Sequence, residues 1–349
     1  MIHEMKAVVK CAPGPGHVEL REVAEPSPGP EQVKVAVKAA GVCASDLHIY
    51  HDDIQIPVRP PVVMGHEFAG VIAEIGDAVH SFSVGDRVTC ETSAVTCDQC
   101  LQCRMGAYNM CADRQVLGYA VDGCFAPYCV VNARRVHLLP DNVDFVAGAL
   151  SEPLACAVHA VVENTRVRAG DVVVIAGPGP IGLLCLQLVK AAGAYAIVGG
   201  TARDGERLRV ACQLGADRTI DVEKENALQQ IVEETGGRGA DIFLECSGAP
   251  AAARLGLAAL RRRGQYTQIG LFGQPFELDF SLIAYKEIQV CGALGQTWSA
   301  WQRGLALLAR GEVDTRTLVT HVLPLTQWRE AFDMLEENRG LKIVLEPTG

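Results

Sequence analysis

Period-two alternation of apolar and polar positions dominates the first part of the chain. In Val33-Lys34-Val35-Ala36-Val37-Lys38 it sets Val33, Val35 and Val37 on one face of a strand. Similar runs at 6–10, 18–23 and 70–75 are separated by turn-forming segments, among them Pro26-Ser27-Pro28-Gly29-Pro30 and Gly85-Asp86. These patterns predict a β-rich, irregular domain through about residue 150.

Beyond that point the texture changes. An apolar helical run over 155–162 leads to Gly170-Asp171-Val172-Val173-Val174-Ile175-Ala176, an unbroken β-branched strand of the kind buried on both faces of a parallel sheet. Gly177-Pro178-Gly179-Pro180-Ile181-Gly182 follows at once, with a helix expected over 183–192. Strands at 196–199, 219–221, 242–245 and 265–269 then alternate with helices at 207–214, 228–235 and 251–260, the pattern of a doubly wound α/β domain. After about 290 the character is mixed, with helices at 298–310 and 325–337 and a last strand at 342–345. That tail is too short for a domain and is expected to rejoin the first part. The expected organisation is a catalytic domain of residues 1–154 and 291–349, interrupted by a dinucleotide domain at 155–290, with the active site between them.

A length of 349 residues agrees with two domains, because single cores rarely exceed ~250–300 residues. The formal net charge of −10 argues against nucleic acid as a partner. Lys and Arg cluster only at Arg261-Arg262-Arg263, read as a solvated helix end. The polar start Met1-Ile2-His3-Glu4-Met5-Lys6 resembles no export signal, and no apolar run reaches the ~18 residues a membrane span needs. A cytoplasmic location without membrane contact is expected.

Fourteen cysteines in such a chain point to metal or packing rather than disulfides. Cys97, Cys100, Cys103 and Cys111 form a C-x2-C-x2-C-x7-C cluster in a polar, turn-rich lobe at about 90–115. Four thiolates at this spacing suit a closed tetrahedral zinc site, and an iron–sulfur cluster is the rival. Earlier, Cys43-Ala44-Ser45-Asp46-Leu47-His48 and Gly65-His66-Glu67 bring a thiolate, an imidazole and a carboxylate into 25 residues. Such a mixed set suits a zinc ion with one open position, the alternative being a buried cysteine and a structural histidine. The glycine motif, placed between a buried strand and a helix, predicts a dinucleotide cradle of Gly177, Gly179, Pro180, Ile181 and Gly182.

Over its full length the sequence resembles the zinc-dependent medium-chain dehydrogenase/reductase family, in particular its sorbitol (polyol) dehydrogenase-like branch. The stretches 41–48, 65–70 and 85–88, the four-cysteine lobe, Glu152-Pro153-Leu154 and 177–182 carry the resemblance. It implies an α/β fold made of a GroES-like catalytic domain and a Rossmann domain. It implies two Zn2+ per chain, one held by Cys43 and His66 with Glu67 and Glu152 at or near the metal, the other by the four lobe cysteines. Glu152 could instead be an acid favoured by a helix N-terminus. The implied chemistry is oxidation of an alcohol with hydride transfer to a nicotinamide. Ser45 matches the hydroxyl that begins the family's proton relay, with His48 as the exit or as a bystander. The resemblance also assigns Gly270, Leu271, Leu294, Gly295 and Gln296 to the cofactor site.

Cofactor choice departs from the family's usual pattern. NAD-specific members carry an acid ~20 residues past the glycine motif. Here Thr201 or Ala202 falls there, followed by Arg203, with Asp204 and Arg207 close by. NAD is favoured over NADP by a narrow margin. The expected substrate is a small-molecule alcohol: a polyol, sugar or related polyhydroxy compound oxidised at a secondary hydroxyl. Threonine 3-dehydrogenase-like and butanediol dehydrogenase-like activities are the alternatives, and a non-catalytic family member is a remote one. Tyr50, Glu91, Tyr119, Gln296 and Trp298 are the substrate-side candidates. A strand near 288–292 should leave an open sheet edge, so a homodimer or homotetramer is expected.

Overall fold

The computed structural model describes residues 3–347, which divide into two compact units. One runs from the N-terminus through Glu152 and resumes at Gln296; the other is Pro153–Gly295. The strand Gln289–Gly292 hydrogen-bonds in parallel to Leu260–Gln268, so residues 291–295 go with the second unit rather than with the tail.

The first unit is built on a seven-stranded sheet and a smaller three-stranded one. In the larger sheet Glu67–Ile75, Gln32–Val42 and Lys342–Glu346 lie side by side, all antiparallel neighbours. The alternation read from the sequence survives: Val33, Val35 and Val37 are fully buried. Lys34, between them, is buried as well, and its ammonium meets Glu25 at 2.6 Å and also Glu74, the residue opposite it in the ladder. A buried lysine is tolerable only with such partners. The C-terminal strand Lys342–Glu346 enters this sheet beside Gln32–Val42, so the end of the chain is tied into the unit that began it.

The second unit is a six-stranded parallel sheet in the order Arg218–Asp221, Tyr195–Gly200, Val172–Ala176, Ala240–Glu245, Leu260–Gln268, Gln289–Gly292. That is the 3-2-1-4-5-6 order of a Rossmann fold, whose switch point lies at the end of its first strand. Val173 and Ile175 are fully buried and Val174 nearly so, as expected of a strand covered on both faces.

Arg261-Arg262-Arg263 is not a helix end. The helix Pro250–Ala259 passes directly into the strand Leu260–Gln268, and the three arginines occupy its irregular start, where Arg263 adopts φ +58°. Arg261 there donates to Asp241 at 2.6 Å. Periodicity missed this because the bulge breaks the strand's alternation. Among the described residues no helix is long and apolar enough to cross a membrane.

Candidate active site and cofactor cradle

Cys43 caps the helix Ala44–His51 in an extended conformation (φ −108°, ψ 153°). Its N–H donates to Asp46 Oδ2 at 2.8 Å, and Asp46 is fully buried. The adjoining strand Glu67–Ile75 starts just after His66, and His66 and Glu67 are both buried. Cys43, His66 and Glu67 thereby present one ligand atom each within 4.8 Å of one another. Gly41, opposite Glu67 in the ladder, leaves the room for this: a Cβ there would stand 2.3 Å from Glu67 Oε2.

The electrostatics of this pocket favour a cation. Burial opposes a charged His66, yet Tyr119, Asp46 and Cys43 outweigh it and hold the imidazole pKa well above its usual value. Asp46 Oδ1 faces His66 Nδ1 at 3.5 Å, the arrangement by which a carboxylate orients a metal-binding imidazole. Lys342 is buried too, and its Nζ lies 2.7 Å from Glu67 Oε1 and 2.5 Å from Oε2. Burial alone would depress the Lys342 pKa, but Glu67, Cys43 and Glu152 raise it. A soft sulfur, a nitrogen and an oxygen in a negatively biased hollow fit zinc.

Glu152 lies on the helix Ser151–Val158 and is buried, outside the three-residue group. Its Oε1 accepts from Gln296 Nε2 at 2.8 Å, and the same amide reaches Thr92 Oγ1 at 3.2 Å. Ser45 Oγ stands 3.5 Å from His66 Nε2, and the Tyr119 ring centre lies 5.4 Å from that of His66. His48, one turn beyond Ser45, is exposed and pairs with Asp53 at 2.8 Å. Of the substrate-side candidates, Tyr119 stands beside His66. Glu91 instead forms a buried cluster with Tyr108 (2.6 Å) and His137 (2.9 Å), while Tyr50 packs on Phe332 under the Arg329 guanidinium.

In the cysteine lobe all four sulfurs lie within 4.8 Å of one another, with Cys97–Cys111 at 3.5 Å and Cys97–Cys103 at 3.9 Å. Zinc–sulfur bonds of about 2.3 Å in a tetrahedron put sulfurs roughly 3.8 Å apart, so the spacing fits. Backbone N–H groups of Gln99 and Cys100 pull the Cys97 thiol down to about 7, whereas burial and the neighbouring thiols push Cys103 up to about 12. Four crowded sulfurs ionise together only around a cation.

In the second unit the glycine turn has the shape a pyrophosphate requires. Gly177 adopts φ +98°, and a Cβ on Gly182 would stand 2.0 Å from the Gly177 carbonyl oxygen. Nothing lies within 4 Å of a Cβ position on Gly179, which leaves open space for a phosphate, and Pro180 begins the helix Pro180–Ala191. A cavity of about 450 Å³ runs from Gly177 past Gly200, Thr201 and Asp204 to Asn226 and Ser247. Gly270 N–H donates to the Glu245 carbonyl at 2.8 Å and Gly248 N–H to the Glu245 carboxylate at 3.0 Å, so one buried glutamate ties the two loops together. Leu271 is largely exposed, Leu294 is 40% exposed and Gly295 adopts φ +63°. Arg203 is exposed and Arg207 faces Asp204 at 3.6 Å.

Fold and sites together define a zinc-binding, nicotinamide-dependent dehydrogenase. Residues 29–141 match the alcohol dehydrogenase GroES-like domain and residues 180–310 the zinc-binding dehydrogenase domain. The chain is 44% identical over 344 residues to a sorbitol dehydrogenase of Halalkalibacterium halodurans, covering 98% of this chain and 99% of the relative. It is 38% identical to a D-arabitol-phosphate dehydrogenase of Enterococcus avium, over 99% and 98% of the two chains. A zinc-binding dehydrogenase of Sinorhizobium meliloti 1021, solved with NADP bound, superimposes with a TM-score of 0.91 at 29% identity, over 99% of this chain and 100% of that one. The protein belongs to the zinc-dependent medium-chain dehydrogenases, within their sorbitol (polyol) dehydrogenase-like branch.

Sequence reasoning passed over Asp46 and Lys342. Asp46 was visible beside Cys43, but only its burial reveals its role. Lys342 lies 275 residues from Glu67 and gives no local signal.

Two outcomes follow from this geometry. Cys100→Ser should lower the metal content of the purified protein and the stability of the lobe, as read by elemental analysis and thermal unfolding; unchanged zinc would refute the lobe assignment. Lys342→Met strands a buried carboxylate, which should cost about 3–5 kcal/mol. Denaturant unfolding of the metal-stripped protein measures it, and a loss below about 1 kcal/mol would show that the pair does not hold the pocket.

Proposed function

We propose that this protein oxidises a secondary hydroxyl of an uncharged polyhydroxy compound to a ketone and passes the hydride to a nicotinamide cofactor. The observation that carries the reading is the Cys43–His66–Glu67 group, its half-buried thiol beside two buried ligands, with Ser45 and Tyr119 next to His66. A zinc ion held by Cys43 and His66, with Glu67 at the metal, would lower the pKa of a bound alcohol and favour the alkoxide from which hydride leaves. Ser45 Oγ is the group placed to take up the alcohol proton. His48, on the same face of the helix, in solvent and paired with Asp53, offers its exit. Asp46 fixes the His66 ring, and Gln296 fixes the Glu152 carboxylate. The lobe cysteines would hold a second zinc with a structural role.

Charge balance favours a neutral substrate over an amino acid. The buried cation beside the ligand group, Lys342, is engaged by both oxygens of Glu67. A substrate carboxylate or phosphate there would lie beside the Glu67 and Glu152 carboxylates, with the buried Lys342 already committed to Glu67. Turnover of polyols, sugars, threonine, butanediol and alditol phosphates, each with both cofactors, tests this. An uncharged polyol should lead threonine and the phosphates by at least about tenfold in kcat/KM, and a charged substrate in the lead would sink the reading.

Cys43→Ala or His66→Ala should abolish turnover yet leave NADH binding intact, because the cradle belongs to the other unit. Equal loss of NADH affinity would refute the assignment of roles.

We also propose association into a dimer or tetramer. The strand Gln289–Gly292 ends the parallel sheet, with Val290 49% exposed, and such an edge calls for a partner. Light scattering should give the mass of two or four chains; a monomer at working concentration would overturn this.

A further inference from the structure

We propose that Glu223 reads the adenosine ribose of the cofactor and rejects a 2′-phosphate, so that the protein selects NAD over NADP. The inference rests on the dinucleotide site described above. In a Rossmann unit the ribose hydroxyls are held by an acid at the end of the second strand. Here that strand is Tyr195–Gly200, and the two residues after it, Thr201 and Ala202, carry no carboxylate.

Asp204 does not fill the gap. Its Oδ2 accepts from both the N–H (2.9 Å) and the hydroxyl (2.8 Å) of Thr201, and its Oδ1 faces Arg207 at 3.6 Å. It serves as the cap of the short helical turn Ala202–Asp204.

A carboxylate nevertheless stands at position 202, supplied by the neighbouring strand. Beyond Arg218–Asp221 the chain is pinned by Val222 N–H donating to the Gly200 carbonyl at 2.9 Å. Glu223, the next residue, turns back so that its Oε2 accepts from Ala202 N–H at 3.0 Å. Glu223 is exposed, and the contact to Ala202 uses one of its two carboxylate oxygens. The adjacent Lys224 makes its ion pair with Asp221 at 2.7 Å, and Glu223 acts on it only through space. The cavity that begins at Gly177 is lined by both Thr201 and Val222, the residues that precede Ala202 and Glu223 in the chain. Glu223 itself is not part of the cavity wall but follows Val222, which is, and its carboxylate reaches Ala202 beside Thr201.

The consequences for the two cofactors differ in sign. A ribose 2′-hydroxyl can donate to Glu223 Oε1. A 2′-phosphate carries about −1.5 to −2 charges and would compete for the Ala202 N–H that Glu223 already holds. Arg203 is exposed next to this point, and Arg207 lies behind Asp204; these are the cations from which a 2′-phosphate could draw compensation. Glu223, which accepts from that N–H at 3.0 Å, opposes them.

The test is equilibrium binding of NADH and NADPH to the full-length zinc-loaded protein, followed by nucleotide fluorescence, with the ratio of kcat/KM for the oxidised cofactors as a second readout. The wild type should bind NADH at least about fivefold more tightly than NADPH. Glu223→Ala should shrink that ratio at least about fivefold, chiefly by tightening NADPH. Glu223→Gln, which keeps the contact to Ala202 but removes the charge, should shift the ratio in the same direction, and its unfolding temperature shows whether the loop is intact. A wild type that prefers NADPH, or a ratio that stays put in both variants, overturns the proposal. Failure of the wild type to bind either nucleotide would instead refute the dinucleotide site itself, and the proposal with it.

Discussion

The buried ion pair between Glu67 and Lys342 is the constraint on which the candidate active site depends. This candidate pocket concentrates acids: Asp46, Glu67 and Glu152 lie within or beside the Cys43–His66–Glu67 group, all three almost wholly buried. Isolated buried charges are far too costly to keep, so something fixed must balance them. A buried pair need not add net stability, because desolvation offsets much of the attraction. What Lys342 does supply is position. It holds both oxygens of Glu67 against the strand Gln32–Val42, where Gly41 leaves space for them. This is also a physical reason for the chain's last strand to return to the first unit: the balancing charge arrives on Lys342–Glu346.

Much of the architecture was legible in the sequence because it rests on local patterns. Val33, Val35 and Val37 alternate and are buried; Val173–Ile175 form a continuous apolar run and are buried on both faces. The glycine turn could be read because its motif is compact: Gly177 needs a positive φ and Gly182 a close approach to the Gly177 carbonyl, both within six residues of chain. Cys43, His66 and Glu67, and the four lobe cysteines, were legible for a similar reason, since ligand types at short spacing carry their chemistry with them.

The remainder was hidden because it depends on contacts between distant segments. Glu223 stands beside Ala202 only because parallel pairing sets Gly200 against Asp221, and nothing in the loop after Gly200 announces it. Lys342 offers no hint in its own neighbourhood. The arginine trio was misread for a related reason. Its segment pairs with Ala240–Glu245 through an irregular register, which erases the alternation by which a strand is recognised.

The cysteine lobe also has a physical link to the candidate active site. Arg114, three residues past Cys111, donates to Ser93 Oγ at 3.0 Å and to Thr92 Oγ1 at 3.2 Å. Thr92 in turn meets Gln296, which donates to Glu152. One residue earlier, Glu91 is fixed by Tyr108 of the lobe and by His137, which stacks on Trp301 at an interplanar angle of 4°. A hydrogen-bonded chain of buried groups is rigid only when every member is satisfied. The lobe's own fold depends on gathering four sulfurs, since its helix Leu101–Arg104 is a single short turn with no buried residue. Order imposed on those sulfurs would therefore pass through Arg114 and Tyr108 to the segment Glu91–Ser93, and from there to the orientation of Glu152. The lobe is thus more than an appendage, because the position of the Glu152 carboxylate beside the candidate active site depends on a segment that the lobe holds in place.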